Sequence, residues 1–385
     1  MANTLTNLAT DIYKAADIVG RELVGFIPSV TVNGGTERVA MNDTVRSHFT
    51  RSQTVNTSFA PAMTIPEGTD QTVDTKTATI DSYASVQIPW TGEDIKHVNN
   101  GAGFETVYGD QIKQAFRTIS NKIENALWLA TYKASSRAYG SAGTTPFASN
   151  FNEVPQLGKI LADNGAPVVD GQWSIVMDTT AGANLRSLAQ LQKANEAGGT
   201  ELLRQGTLLD LQGFMLKESA QIGLHTKGTG ASYQLNLVAG YAVGSTSFAV
   251  DTGSGTILAG DVITNSQAGR DSNKYVVNSA LASSSFSIGT PGNRVAWVDN
   301  DTIAVGNSYT PNVALHRSAV ELAIRPPAMP NGGDAADDVM VVVDPHSGLA
   351  FEVAFYKGYM KAMIEVRCLY GVKVWKPDFV ATLIG

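Results

Sequence analysis

The chain of 385 residues is long enough for one large domain or two to three ordinary domains with a sizeable core. Charged residues make up only 16% and the net charge is −7, with acids and bases interspersed. No basic stripe is visible, which argues against tight unspecific binding to nucleic acid, because that binding depends on neutralising phosphates. The one cysteine, Cys368, excludes an intramolecular disulfide and a cysteine-based metal cluster, and its apolar surroundings predict a small core residue.

The start of the chain lacks a basic stretch followed by an apolar one, so the sequence does not predict a secretory signal. No apolar run reaches the about 18 residues expected of a membrane-spanning helix. We therefore expect a protein that is made and folded in a cytoplasm and does not span a membrane.

Two helical patterns dominate the first part of the chain. Apolar residues recur every three or four positions over residues 4–27, as far as Pro28, and again from Phe104 to Tyr139. The second pattern is the longest in the chain, and residues 104–136 predict a rod of roughly 50 Å. The structure of the rest is expected to be organised around this helix.

A long polar segment lies between the two helical patterns. Residues 37–52 and 72–90 resemble extended strands, and residues 56–70, with two prolines and a glycine, resemble the tip of a two-stranded loop. The alternative is a disordered loop. The few apolar residues cannot form a core of their own and are predicted to be buried against a neighbouring molecule: Val45, Phe49, Phe59, Met63 and Ile65.

The remaining chain mixes helix and strand. Strands are predicted at Trp173–Met177 and around Phe214–Glu218, with Asp178 capping a helix that begins near Ala181. Residues 226–311 show only short alternating runs, typical of a small all-β module, and contain two similar segments, SFAVDT and SFSIGT. A further segment, VALHRSAVELAIRPP, is helix or strand. Several long strands then follow around the predicted turns DPHSG, YKGY and LYG.

The sequence contains no convincing catalytic, cofactor or metal site. No two of its histidines, His48, His97, His225, His316 and His346, have a metal-ligand spacing. Asp344, His346 and Ser347 contain the residue types of a catalytic triad, but neighbouring residues in a turn point in different directions. Asp299, Asn300 and Asp301 could contact a calcium ion, yet a turn between strands explains them better.

Five segments along the chain carry a resemblance to a known family. They are WSIVMDTTAGANLRSL, DLQGFMLKESAQI, LAGDVIT, VALHRSAVELAIRPP, and DPHSGLAFEV together with LYGVKVWKPDFVATLIG. In this order they resemble the major capsid proteins of tailed phages with the Hong Kong 97 fold. More narrowly, the chain resembles the coat proteins of short-tailed phages, which carry an extra β domain within the A domain. The resemblance covers roughly the whole chain and is weakest over residues 33–80 and in the β module.

This resemblance implies an α+β capsid fold with an inserted all-β domain. The implied parts are an N-terminal arm (1–33), an E-loop (34–90), a P domain with the spine helix (91–154), an A domain in two pieces (155–225 and 312–335), the inserted domain (226–311) and C-terminal strands (336–385).

The resemblance also implies a function. Hexamers and pentamers would form an icosahedral head that encloses double-stranded DNA without sequence-specific binding. A separate scaffolding protein and a portal protein at one vertex would be partners, and assembly would take place in the bacterial host cytoplasm. No enzyme activity, cofactor or metal is implied. Lys76, the only lysine of the E-loop, could form a cross-link, although the closer relatives are not cross-linked.

The E-loop is expected to lie across a neighbour's spine helix and to bury Phe49, Phe59 and Met63 there. Arg46 and Arg51 would form ion pairs with acids of that helix, such as Glu105 or Asp110. An adhesive or carbohydrate-binding protein, with residues 226–311 as its binding module, is the alternative. The long helix and the lack of repeats argue against it.

Overall fold

The computed structural model of the chain describes residues 21–50, 55–57, 59–65, 73–99, 104–168, 171–192 and 210–385. Its helices are α1 (Gly92–Asn99), α2 (Phe104–Lys133), α3 (Glu153–Asp163), α4 (Thr179–Ser187) and α5 (Ala189–Gln192). Its strands are β1 (Thr31–Gly34), β2 (Thr44–Thr50), β3 (Val73–Thr79), β4 (Ser82–Thr91), β5 (Arg137–Gly140), β6 (Trp173–Met177), β7 (Phe214–Glu218), β8 (Tyr233–Leu235), β9 (Ser247–Asp251), β10 (Val262–Asn265), β11 (Lys274–Ala282), β12 (Ser285–Ile288), β13 (Thr302–Val305), β14 (Pro311–His316), β15 (Val320–Arg325), β16 (Ala336–Val343), β17 (Ala350–Gly358), β18 (Lys361–Val374) and β19 (Val380–Ile384).

The predicted long helix is α2, which is the centre of the largest core. It ends at Lys133, so the prediction of helix as far as Tyr139 is wrong. Residues 137–140 form strand β5 instead, because they pair with β11 on one side and with β19 on the other. The predicted apolar face is confirmed, since these residues are at most 2% exposed: Ile112, Ala115, Phe116, Ile119, Ile123 and Leu127.

The predicted helix over residues 4–27 is wrong in the part that the structure describes, and residues 4–20 lie outside the described residues. Residues 21–25 are not helical. Instead, Glu124 of α2 accepts hydrogen bonds from the backbone N–H groups of Gly25, Phe26 and Ile27 at 2.7, 2.7 and 3.0 Å. Backbone donors that are bonded to a side chain cannot bond within a helix. We call residues 21–27 the strap.

A six-stranded sheet packs on α2 in the order β1-β15-β18-β17-β16, and β4 also pairs with β18. Alternate residues of β18 point towards the helix, among them Ile364, Val366 and Cys368. Cys368 is 1% exposed, which confirms the predicted core position. Burial raises the pKa of its thiol to about 12.

The predicted turn at LYG is wrong, because these residues lie inside β18, where Leu369 pairs with Arg325 of β15. Gly371, the glycine of this segment, is needed for close packing and not for a turn. A Cβ atom at this position would lie only 2.2 Å from the carbonyl oxygen of Thr79. The glycine therefore allows the end of β3 to cross β18 closely.

An eleven-stranded sheet has the order β10-β13-β8-β9-β12-β11-β5-β19-β14-β6-β7. The predicted strands at Trp173–Met177 and Phe214–Glu218 are confirmed as β6 and β7. Asp178 caps α4 by accepting hydrogen bonds from the backbone N–H groups of Thr180 and Ala181, so the predicted cap is confirmed and the helix begins at Thr179. The segment predicted to be helix or strand forms β14 and β15.

Six strands of this sheet close into a ring, because β10 pairs with β11 as well as with β13. The ring, β8 to β13, encloses its own core, which includes Phe248, Tyr275 and Trp297. The two similar segments of the sequence are β9 and β12. They pair directly, with Phe248 opposite Phe286, and each also pairs with the strand before it, β9 with β8 and β12 with β11.

Candidate assembly surface

The arm consists of β2, β3 and the tip between them. β2 pairs with β3 antiparallel over its whole length, so the predicted two-stranded loop is confirmed there. Of the predicted second arm strand, only β3 belongs to the ribbon, since β4 pairs with β18 of the six-stranded sheet. The described tip residues form neither helix nor strand. Their large apolar side chains are 82% to 106% exposed: Val55, Phe59, Met63 and Ile65.

Polar contacts hold the base of the arm to the six-stranded sheet. Lys76 Nζ donates a hydrogen bond to the carbonyl oxygen of Trp375 at 2.7 Å, and burial lowers the pKa of Lys76. Arg38 reaches the buried carboxylate of Glu352 at 2.6 Å. The base of the arm is thereby held, while its tip extends into solvent.

The single chain forms none of the predicted arm-to-helix ion pairs among the described residues. Arg46 is exposed on β2 and has no ion pair within this part of the chain. Asp110 pairs with Lys113 of its own helix at 2.7 Å. The other predicted contact residues are Phe49 in β2, Glu105 in α2 and Arg51, which lies outside the described residues.

A shallow groove of about 500 Å³ runs between β4 and α2. Apolar atoms form most of its wall, and Trp90 Nε1 donates a hydrogen bond to Gln111 Oε1 at 2.8 Å beside it. A groove of this kind can receive an apolar side chain of another molecule. Its lining is Val86, Gln87, Ile88, Pro89, Asp110, Gln111, Gln114, Ala115 and Thr118.

The strap is held by ion pairs and hydrogen bonds that the sequence did not reveal. Arg21 forms a salt bridge of 2.9 Å with Asp344, and Glu22 pairs with Arg117 of α2. The hydrogen bond from Arg117 lowers the pKa of Glu22 to about 2. Burial raises the pKa of Glu124, which accepts the three strap N–H groups. No local pattern identifies these pairs, because the partners are far apart in the chain.

The turn Asp344–Gly348 has a structural role. Ser347 Oγ donates to Asp344 Oδ2 at 2.7 Å, and the other carboxylate oxygen of Asp344 pairs with Arg21. His346 Nε2 lies 3.2 Å from the carbonyl oxygen of Glu22 and not beside Ser347. These contacts fix the turn and the strap, and they do not align the three residues as a triad.

An ionic cluster lies on the face of the six-stranded sheet that points away from α2. Arg367 pairs with Glu352 at 2.7 Å and with Glu365 at 3.3 Å, and its Nη1 donates to Tyr356 at 2.7 Å. The hydrogen bond from Tyr356 lowers the pKa of Asp334. Several carboxylates therefore share one buried guanidinium, so this face of the sheet is polar.

The ring joins the C-terminal end of α2 through a buried hydrogen-bond network. His225 lies 3.1 Å from Tyr132 Oη through Nδ1 and 2.9 Å from Asp261 through Nε2. Burial raises the pKa of Tyr132 to about 12. Because all three side chains are buried, the network ties the position of the ring to the helix.

Asp299, Asn300 and Asp301 form a turn before β13, as the preferred sequence interpretation predicts. Asp301 Oδ2 accepts hydrogen bonds from the backbone of Val298 at 2.9 Å and from Asn265 at 2.8 Å. In the described part of the chain, no three histidine, cysteine or acidic residues are grouped to hold a metal ion. No helix among the described residues combines the length and apolar character needed to cross a membrane.

No protein-family model and no curated protein matches the sequence. Solved structures are similar. The capsid structure of Cyanophage P-SCSP1u has 12% identity and a TM-score of 0.50 over 95% of this chain and 89% of that chain. A structure from Mycobacterium phage Che8 has 13% identity and a TM-score of 0.49, covering 95% and 92%. The mature capsid of bacteriophage PhiM1 has 11% identity and a TM-score of 0.47, covering 95% and 88%.

The comparison rests on the Cyanophage P-SCSP1u structure, whose TM-score of 0.50 is the highest of the three. At 12% identity it supports a common fold, and the similarity extends over 95% of the chain. The resemblance inferred from the sequence is confirmed at that level: the chain has the mixed α/β fold, with few helices and many strands, of the Cyanophage P-SCSP1u capsid chain.

Proposed function

We propose that the chain is the major capsid protein of a tailed double-stranded DNA phage, in which hexamers and pentamers build the icosahedral head. The main observation behind this proposal is the arm. The apolar side chains at its tip are exposed, and no other described residue buries them. An isolated two-stranded ribbon is at best marginally stable in water. The arm is therefore suited to burial against a second molecule, as expected in a shell.

The groove between β4 and α2 of a neighbouring copy is the proposed receptor for the tip. Full burial of a phenylalanine or methionine side chain contributes about 1.5–3 kcal/mol. Each contact can be modest, because a closed shell repeats it many times. Asp110 lines the groove with a side chain that is 58% exposed, so it can accept Arg46 or Arg51 of the neighbour in addition to Lys113. Phe49 and Glu105 are proposed as further contact residues between neighbouring copies.

The proposed domain layout follows the capsid fold. The arm is the E-loop, α2 is the spine helix, and the six-stranded sheet with α2 forms the P domain. This layout moves β4 out of the expected E-loop (34–90) and β15 out of the expected A domain (312–335), because both strands pair with β18. Strands β6, β7, β14 and β19 belong to the A domain, and the ring is the inserted all-β domain between 226 and 311. The strap belongs to the N-terminal arm.

The proposed partners are further copies of the chain, a separate scaffolding protein and a portal protein at one vertex. The net charge of −7 suits a wall that encloses DNA without holding it strongly. Assembly is proposed in the bacterial host cytoplasm, and the product is the virion head. The hydrogen bond of the Lys76 amine to Trp375 disfavours a cross-link at this lysine.

The adhesive or carbohydrate-binding alternative is not favoured. It requires the ring to be a binding module on a separate stalk, whereas the likeness to one capsid chain covers 95% of the sequence.

The experiment is electron microscopy and light scattering of the purified protein, expressed alone and together with a candidate scaffolding protein. We expect closed shells or tubes with a wall of uniform thickness. A monodisperse monomer or small oligomer under both conditions would contradict the proposal. Binding to a glycan array would then test the adhesive alternative.

A further inference from the structure

Strand β16 is the outer strand of the six-stranded sheet. It pairs with β17 on one side, and no described strand pairs with its other side. In an antiparallel pair, alternate residues direct their N–H and C=O groups away from the partner. β16 therefore presents a row of free backbone donors and acceptors among the described residues.

This edge is protected against pairing only at its start. Natural edge strands carry charged side chains, especially lysine, or proline or bulges, or are very short. The only register shift of β16 lies at its start, between Ala336 and Asp338, and five apolar residues follow as far as Val343. Val341 and Val343 are 43% and 49% exposed. Such an edge is a hazard in a monomer and a pairing site in a protein that assembles.

We propose that β2 of a second copy adds to this edge as a further strand, in a register that sets Arg46 beside Asp338 and leaves Asp110 to Arg51. The proposal rests on the proposed function and specifies one contact of the shell. β2 has seven residues and β16 has eight, so the lengths match. The outer edge of β2 is unpaired among the described residues, because β2 pairs only with β3 there.

Charge supports this pairing. Asp337 already pairs with Lys357 at 2.6 Å. Asp338 and Arg46, in contrast, have no ion pair in the described part of the chain. A neighbouring copy that brings these two side chains together would neutralise both.

The position of the arm on its own sheet favours a second copy as the source of the strand. Val39 pairs with Pro327, just after β15, and Lys76 bonds to Trp375, just after β18. β16 lies at the opposite edge, beyond β18 and β17. A donor and an acceptor on opposite sides of one molecule give a head-to-tail contact, and such contacts form rings when the rotation between copies closes.

The test combines hydrogen exchange with a charge swap. In assembled wild-type particles, we expect the amides of Val339 to Val343 that point away from β17 to exchange about tenfold more slowly than in the unassembled protein. Arg46→Glu and Asp338→Arg should each lower the yield of particles about tenfold, and the double variant should recover most of that yield. Asp337→Arg is the matched control with a small expected effect. Thermal unfolding of the unassembled variants checks that each one folds.

Each outcome separates this inference from the proposed function. Wild-type particles whose β16 amides exchange as fast as those of the unassembled protein overturn the strand addition and leave the capsid proposal intact. A slowly exchanging edge without recovery in the double variant means that another strand covers β16, which overturns the assignment of β2. If the wild type forms no particles under any condition, both proposals fail.

Discussion

Arg21 and Asp344 form a salt bridge of 2.9 Å although 323 positions separate them in the sequence. Asp344 is fully buried and Arg21 is 5% exposed. Arg21 also donates to Ser120 of α2 at 3.4 Å, so the contact joins the strap, the long helix and the turn between β16 and β17. The strap and the turn Asp344–Gly348 are therefore held together across α2.

Replacing Asp344 by alanine should lower the free energy of unfolding by about 3–5 kcal/mol, because the variant leaves a buried guanidinium without its partner. Urea unfolding of the unassembled protein at neutral pH measures this loss. Lys357→Ala is the control: it removes a salt bridge whose lysine is 50% exposed and should cost about 0–1 kcal/mol. Equal losses in the two variants would contradict the structural importance of the strap.

The Glu22 pair should make stability depend on pH. Its hydrogen bond with Arg117 lowers the pKa of Glu22 from 4.5 to about 2 in the folded protein. A carboxyl with a lowered pKa stabilises the fold above its unfolded value, and this contribution is lost as the pH falls through the folded value. The difference in unfolding free energy between wild type and Glu22→Gln should therefore be constant above about pH 5.5 and shrink towards pH 2. A difference that does not change over this range would refute the assignment.

Gly260→Ala should disturb the junction of the ring with α2. Gly260 has φ of +100°, and a Cβ atom there would lie 2.6 Å from Tyr132 and 3.0 Å from His225. Gly143→Ala is the matched control, since its φ is +80° and no atom lies within 4 Å of the added Cβ. Both variants bear the backbone strain of about 1–2 kcal/mol, and Gly260→Ala should cost about 1–3 kcal/mol more because of overpacking. Thermal unfolding measures the loss of stability in both variants. Similar losses in Gly260→Ala and Gly143→Ala would mean that the junction is loosely packed and would contradict the prediction.

The double variant Phe59→Ser and Met63→Ser should leave the unassembled protein as stable as the wild type, because both side chains are exposed. The threshold concentration for assembly should rise at least about tenfold, which corresponds to about 1.4 kcal/mol per contact. Light scattering against protein concentration gives this threshold. Val238→Ser, at a position that is 92% exposed on the ring, is the control and should leave it unchanged. Assembly at the wild-type threshold would exclude the tip as a contact.

Short-range sequence patterns correctly predicted the elements whose formation depends only on residues close together in the chain. The apolar spacing of α2 and the short, mostly apolar runs of β6 and β7 are properties of neighbouring residues, so they could be predicted correctly. The cap of α4 at Asp178 is equally local. The two extended strands of the arm and the exposed apolar residues at its tip could also be recognised from composition.

The sequence by itself determined the helical core, the β character of residues 226–311 and the arm, because their information lies in short-range periodicity and turn chemistry. Only the tertiary structure decided where α2 ends, since β5 takes the next residues for pairing with β11 and β19. The same holds for Gly371, a glycine inside a strand that allows β3 to approach, and for the strap, whose backbone donors bond to Glu124. These features depend on partners far away in the chain, and local propensity carries no information about such partners.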